Sequence, residues 1–283
     1  MSNAISIAAR ARALFCAENE SVRRNDIRIV LSLGTYGSTV SPFQDFDGIF
    51  PPPYGPKAYS ATEPNITSFG DDVEGTEMSI QALTEFHTER LLAYCHMSEA
   101  WDLLDGVAFE TIPVAREVTA IRRAVTTVAA SLRAESKHMK AWWLTAVFPN
   151  GRCPEARVPD GKHVSAKEVA ELMVREGVDG EGRALVLPNG IGFNCVTVEH
   201  LQGLTDEFQE GCAQVIGEGR KWPWLVLKPN GGGAGIGQWA ECVMGCVNKA
   251  CGQGWGGLIV GGCCRAVPDD IAQLASKLET IER

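Results

Sequence analysis

The chain reads as an α/β protein of (β/α)-barrel type, and three observations lead there. Apolar runs short enough for buried strands alternate regularly with segments of helical period, the order that a parallel sheet covered by helices requires. Six such strand–helix units follow a leading helix, and the 283 residues are read as one domain over 1–283. Cysteines and a carboxylate fall at the ends of well-separated strands. Such side chains converge most readily on the C-terminal rim of a barrel, which decides against a doubly wound open sheet of the same six units.

Taken in order, residues 4–20 form the leading helix, with Ile7, Ala8, Ala11, Leu14 and Phe15 at helical spacing. Residues 26–33 read as a strand that stops at Gly34-Thr35-Tyr36-Gly37. Residues 41–65 are a long proline-rich loop, an ordered insertion rather than a linker because no independent domain precedes it. A helix is predicted over 76–100, a strand over 103–110, a helix over 113–130 and a strand over 141–148. After a loop over 150–164, Ser165 with Glu168 three residues on is a helix-starting cap. A strand within 185–195, broken by Pro188-Asn189-Gly190, leads to a helix over 198–217. The last two units are strand 224–228 with helix 237–251, and strand 258–260 with helix 268–281. Pro268 stands at the first position of that final helix, with carboxylates in its first turn.

Lys+Arg 26 against Asp+Glu 35 leaves a formal charge of −9, which argues against nucleic acid as a partner, since phosphate contacts need basic patches. No apolar run approaches the ~18 residues of a membrane span. The N-terminus lacks the charged region and apolar core of a secretory signal, so a reducing, cytoplasmic setting is expected. In that setting the ten cysteines are read as buried or metal-binding rather than bridged.

Position separates ligand from filler. Leu258-Ile259-Val260 ends in Gly261-Gly262 and then Cys263-Cys264. Inside a strand, adjacent side chains point to opposite faces. Past the strand end, after glycines that tolerate unusual φ/ψ, both sulfurs can turn toward one ion. Two thiolates leave a zinc site short, and Cys195, where another apolar segment stops before a helix, is the best third ligand. The alternative for all three is simple burial in an apolar rim, the usual fate of cysteine.

Gly192-Phe193-Asn194-Cys195 followed by Gly261-Gly262-Cys263-Cys264-Arg265 resembles the zinc signature of the homocysteine S-methyltransferase family. That resemblance implies a (β/α)₈ barrel holding Zn2+ with Cys195, Cys263 and Cys264, and no catalytic residue apart from these ligands. It also implies homocysteine as methyl acceptor, with S-methylmethionine, S-adenosylmethionine or a betaine-like compound as donor and methionine as product. Phe109-Glu110-Thr111-Ile112-Pro113 resembles the family segment whose glutamate binds the homocysteine amino group, which makes Glu110, with Asn194, a substrate-binding residue. The alternative for Glu110 is a dipole partner for the helix after Pro113. The resemblance aligns residues 4–282 with strands three to eight, so the barrel is expected to lack the family's first strand, first helix and second strand. A zinc-binding remnant impaired in catalysis is therefore the rival function.

The remaining motifs carry less. His87 and Arg90, mid-helix, are expected to pair with neighbouring loops. Pro229-Asn230-Gly231 follows the strand at 224–228, where Lys228 departs from the family pattern. The glycines of 231–237 lack the ending of a phosphate loop. Cys242 and Cys246 fit a buried helix face, and Trp142-Trp143 an apolar strand.

Overall fold

The computed structural model describes residues 2–157, 161–232 and 237–279. A leading helix α1 (Ser2–Glu18) precedes six strand–helix units. These are β1 (Val30–Gly34) with α2 (Val73–Cys95) and the short α3 (Ser98–Asp102), β2 (Gly106–Ile112) with α4 (Ala115–Ala134), and β3 (Ala141–Ala146) with α5 (Ala166–Val174). They continue as β4 (Gly190–Asn194) with α6 (Val198–Val215), β5 (Trp224–Lys228) with α7 (Gln238–Cys251), and β6 (Leu258–Val260) with α8 (Pro268–Leu278).

All strand pairs are parallel and the sheet order is β1-β2-β3-β4-β5-β6. Sequential order with crossovers of one hand puts every helix on the same side of the sheet. The packing agrees: α2 lies on α4, α4 on α5, α5 on α6, α6 on α7 and α7 on α8. A doubly wound sheet would have separated these neighbours. Among the described residues β1 and β6 do not pair, so the arrangement is an incomplete (β/α) barrel of six strands.

Strand alternation divides the residues between two faces. Leu31, Leu33, Val107, Phe109, Trp142, Leu144, Ile191, Phe193, Leu225 and Leu227 face the helices and join one large core. Each fully buried side chain of this size contributes ~1.5–3 kcal/mol. Ala108, Trp143 and Val226, with Val30, Trp224 and Ile259, line the concave face. That face is strongly curved. Glu110 on β2 and Lys228 on β5 form an ion pair although three strand spacings, about 14 Å on a flat sheet, separate their strands. Close strand contact sets part of the curvature: a Cβ on Gly192 would stand 1.9 Å from the Val226 carbonyl oxygen, so β4 accepts only glycine there.

Several boundaries differ from the sequence reading for identifiable reasons. β1 starts at Val30, because residues 24–26 make a 3₁₀ turn and the Ile29 N–H is taken by the Asp105 side chain at 2.8 Å. The helix predicted over 76–100 begins earlier, where Asp72 caps the Gly75 N–H at 2.8 Å, and stops at Cys95 before α3. The strand expected from 103 begins at Gly106, since Leu103 and Leu104 close α3 through N–H bonds to Ala100 and Trp101. Residues 177–185 form a small antiparallel loop before Pro188, which leaves β4 only Gly190–Asn194. The expected ends hold elsewhere: Ser165 and Glu168 form the reciprocal cap of α5, and Pro268 opens α8. The long loop after β1 is ordered, with Phe50 fully buried against Ile80, Leu83 and Val114. The end of the helix expected to reach 281 and the glycine run at 233–236 lie outside the described residues.

Candidate metal centre

The thiols of Cys195, Cys263 and Cys264 meet at the C-terminal rim, all three sulfurs within 4.8 Å of one another. Cys195 follows β4 directly and continues its ladder by donating its N–H to the Lys228 carbonyl at 3.1 Å. Its φ is +55°, a left-handed conformation that costs about 1–2 kcal/mol for a non-glycine residue and turns the side chain out of the strand's alternation. Cys263 and Cys264 come from beyond β6. The segment after β5 is stitched between the two: Asn230 N–H bonds the Val196 carbonyl, Gly231 N–H the Cys264 carbonyl, and Cys263 N–H the Pro229 carbonyl, each at 2.8 Å. A Cβ at Gly231 would lie 2.5 Å from the Arg265 carbonyl oxygen and the Ala266 Cα, so glycine permits this layering. Thr111 (φ +63°) and Arg265 (φ +62°) are also left-handed. Strained backbone thus clusters at the ends of β2, β4 and β6, as it does at functional sites held by their surroundings.

The Cys195 and Cys263 sulfurs stand 2.8 Å apart and those of Cys195 and Cys264 3.8 Å. No disulfide joins them; all three thiols are free. Around a tetrahedral zinc with ~2.3 Å bonds, sulfurs sit about 3.8 Å apart. The Cys195–Cys264 spacing already matches, and the closer pair opens by about 1 Å to fit. Cys195 and Cys263 are half-buried and Cys264 is exposed, which leaves an approach from solvent. The donor set therefore fits a thiophilic ion with a fourth position open.

Electrostatics favour thiolate here. The hydrogen bond from Cys195 pulls the Cys263 thiol well below its usual range; burial opposes this, and the backbone N–H of Cys264 and the Asn194 amide reinforce it. Cys195 is driven up, first by sharing its proton with Cys263, then by burial and the neighbouring charges. One sulfur of the pair thus carries charge while the other keeps the proton, which metal binding would release.

Asn194 organises the floor of this site. It is 1% exposed. Its Oδ1 accepts from the Thr111 N–H at 2.9 Å and the Thr145 hydroxyl at 2.7 Å. Its Nδ2 donates to Thr111 Oγ1 at 2.9 Å and to the Cys195 sulfur at 3.1 Å. One amide therefore ties the ends of β2, β3 and β4 together and supports a ligand.

Glu110 shares the concave face with Ala108 by strand alternation, and the register of β2 against β3 shifts between Phe109 and Ile112, around it. Its carboxylate accepts from Ser32 Oγ at 3.1 Å and from Lys228 Nζ. Asn194 and Lys228 are register partners across β4 and β5, so this ion pair lies beside the thiols. Sequence reading brings Glu110, Asn194 and the three cysteines to the rim but leaves out Lys228, Thr111, Thr145 and Ser32. The signal for Lys228 is a lysine ending the otherwise apolar Trp224–Lys228 run two residues after Val226, hence on the same face.

His87 and Arg90 fasten neighbouring elements. His87, fully buried, meets Glu117 through Nε2 at 2.9 Å; Glu117 also accepts from Thr35 Oγ1 at 2.6 Å and the Tyr36 N–H at 2.7 Å. Arg90 donates to the Gly34 carbonyl at 2.8 Å. Cys246 is buried on α7 and Cys242 half-buried. Among the described residues, the only group of three or more thiol, imidazole or carboxylate side chains placed to hold a metal is the one at the rim.

In comparison with known protein families, the model described as homocysteine S-methyltransferase matches residues 1–278. No curated protein matches. No helix among the described residues is long and apolar enough to cross a membrane.

Proposed function

From the premise that the chain belongs to the homocysteine S-methyltransferase family, a family of methyltransferases, we propose that it moves a methyl group to the homocysteine thiol and yields methionine. The observation that carries this reading is the convergence of three thiols from β4 and from beyond β6 on one solvent-reachable point of the rim. The donor in this proposal is S-methylmethionine, S-adenosylmethionine or a betaine-like compound, and residues 1–283 act as one cytoplasmic barrel domain.

Cys195, Cys263 and Cys264 are the ligands proposed to hold Zn2+. A bound zinc ion would supply a Lewis acid that lowers the pKa of an incoming thiol and keeps it nucleophilic at neutral pH. The chain's own part is orientation. Asn194 fixes Cys195 through its amide, and the left-handed turns at Cys195 and Arg265 accompany the approach of the three sulfurs to one another. Glu110, at the end of β2, faces the same rim and is proposed to take the substrate ammonium, a charge-assisted contact. Methyl transfer is then an in-line displacement. A lone pair of the acceptor sulfur forms the new C–S bond as the donor's C–S or C–N bond breaks. The donor leaves as a neutral thioether or tertiary amine, and the acceptor's proton has already passed to solvent.

A second reading, a zinc-binding domain without turnover, draws on the edges of β1 and β6, which are unpaired among the described residues and leave the concave face open on one side. One experiment separates the two. Purified protein is assayed for zinc and for methionine formed from homocysteine with each donor in turn. About one zinc per chain, lost in Cys263→Ser, together with methionine from at least one donor supports the enzyme. Zinc with no methionine from any donor supports the second reading. Absence of zinc binding refutes both.

A further inference from the structure

The ion pair between Glu110 and Lys228 is the feature of the rim that methyl transfer to a thiol does not by itself require. It joins β2 to β5 across the concave face, over Thr145 of β3 and Asn194 of β4. Both side chains remain partly exposed, at 17% for Glu110 and 22% for Lys228, so the pair opens to the same solvent as the thiols. Ser32 Oγ holds the carboxylate from the β1 side at 3.1 Å, which leaves the lysine, on its long flexible stem, as the mobile partner.

We infer that Lys228 is a specificity-determining residue that takes the α-carboxylate of the acceptor while Glu110 takes its α-ammonium, so that the site selects a zwitterionic amino-acid thiol. The inference rests on the thiol-acceptor reading above. Its physical basis is a match of charge patterns. Glu110 and Lys228 present a negative and a positive group side by side, and an amino acid carries the complementary charges on one carbon. Inserting that zwitterion exchanges one ion pair for two without changing the net charge of the half-buried site, which avoids the cost of bringing in an uncompensated ion. A thiol with only one charged group leaves one member of the pair without a partner, and a neutral thiol gains nothing from the arrangement. In the unliganded protein, the contact with Lys228 keeps Glu110 from standing uncompensated on a partly desolvated face.

The test is equilibrium binding by calorimetry to the zinc-loaded full chain. Its probes are L-homocysteine, 3-amino-1-propanethiol (no carboxylate) and 4-mercaptobutanoate (no ammonium). In the unchanged protein homocysteine is expected to bind about 10- to 100-fold more tightly than either analogue, the range expected for one charge-assisted contact. Lys228→Met should weaken homocysteine and 4-mercaptobutanoate by a similar factor. It should leave 3-amino-1-propanethiol unchanged or tighter, because Glu110 loses its internal competitor. Lys228→Arg should retain the carboxylate preference, and Glu110→Gln should weaken the two amines instead.

Equal weakening of all three thiols by Lys228→Met would show a strut between strands and overturn the inference. Tightening of both amines would show a plug on the ammonium site and overturn it as well. If the unchanged protein binds all three thiols within about twofold, the clamp falls while the thiol-acceptor reading stands. If it binds none, that reading falls and takes the clamp with it. The comparison of analogues on the unchanged protein decides the matter even if the Met variant does not fold.

Discussion

Replacing Asn194 by alanine should damage the protein twice, once in stability and once in metal affinity. The side chain is 1% exposed and makes five hydrogen bonds, with the Thr111 N–H and hydroxyl, the Thr145 hydroxyl and the sulfurs of Cys195 and Cys263. Alanine strands the Thr111 N–H and the fully buried Thr145 hydroxyl, at about 1–3 kcal/mol each. The Thr111 N–H cannot turn away, since it is fixed by a left-handed backbone that this bond helps to hold. The expected loss is about 3–5 kcal/mol, in the upper tail for a single substitution. The variant also loses the amide contacts with the Cys195 and Cys263 sulfurs, and removing such supporting contacts typically weakens metal binding about 10- to 100-fold. Urea unfolding of the metal-free variant reads the first effect, and zinc competition against a chromophoric chelator reads the second. A loss below about 1 kcal/mol for Asn194→Ala would refute the assignment of the Asn194 oxygen as the tie between β2, β3 and β4.

Three further outcomes follow, two at buried or crowded positions and one at an open one. Burial drives the His87 pKa down, against its contact with Glu117, so the folded protein keeps a neutral imidazole while the unfolded chain takes up a proton below about pH 6.5. His87 should therefore cost stability as pH falls through 6.5, by up to about 1.4 kcal/mol per pH unit, and His87→Gln should flatten that slope in urea unfolding between pH 7 and pH 5; an unchanged slope would exclude His87 as its source. Gly192→Ala would press a Cβ 1.9 Å from the Val226 carbonyl oxygen, which is backbone and cannot swing away, so a loss of about 3 kcal/mol or more in thermal unfolding is expected. Gly203→Ala on α6, where nothing lies within 4 Å of the new methyl group, should instead stabilise by about 0.5–1 kcal/mol in the same experiment.

Local order was legible in the sequence because its causes are local. The apolar run Trp224–Lys228, the cap at Ser165 with Glu168, and Pro268 before two acidic residues each specify their element within a few residues. Repetition of that unit calls for a parallel sheet, and the position of Cys195 and Cys263-Cys264 just past strand ends puts them on one rim. Contacts between elements set what stayed hidden. β1 begins at Val30 because Asp105, distant in the chain, claims the Ile29 N–H, and no residue near 26–29 announces that partner. His87 gains its role only when α2 meets Glu117 on α4.

The sequence alone determined the order of strands and helices, the glycines that let the rim turn, and which cysteines stand at strand ends, since period, cap and turn chemistry act over a few residues. Only the tertiary structure decided that three sulfurs come within 4.8 Å, that Asn194 supports them, and that Lys228 meets Glu110. Those facts depend on sheet curvature. Curvature is a collective result of twist and close strand packing around Gly192, spread over six strands and encoded at no single one.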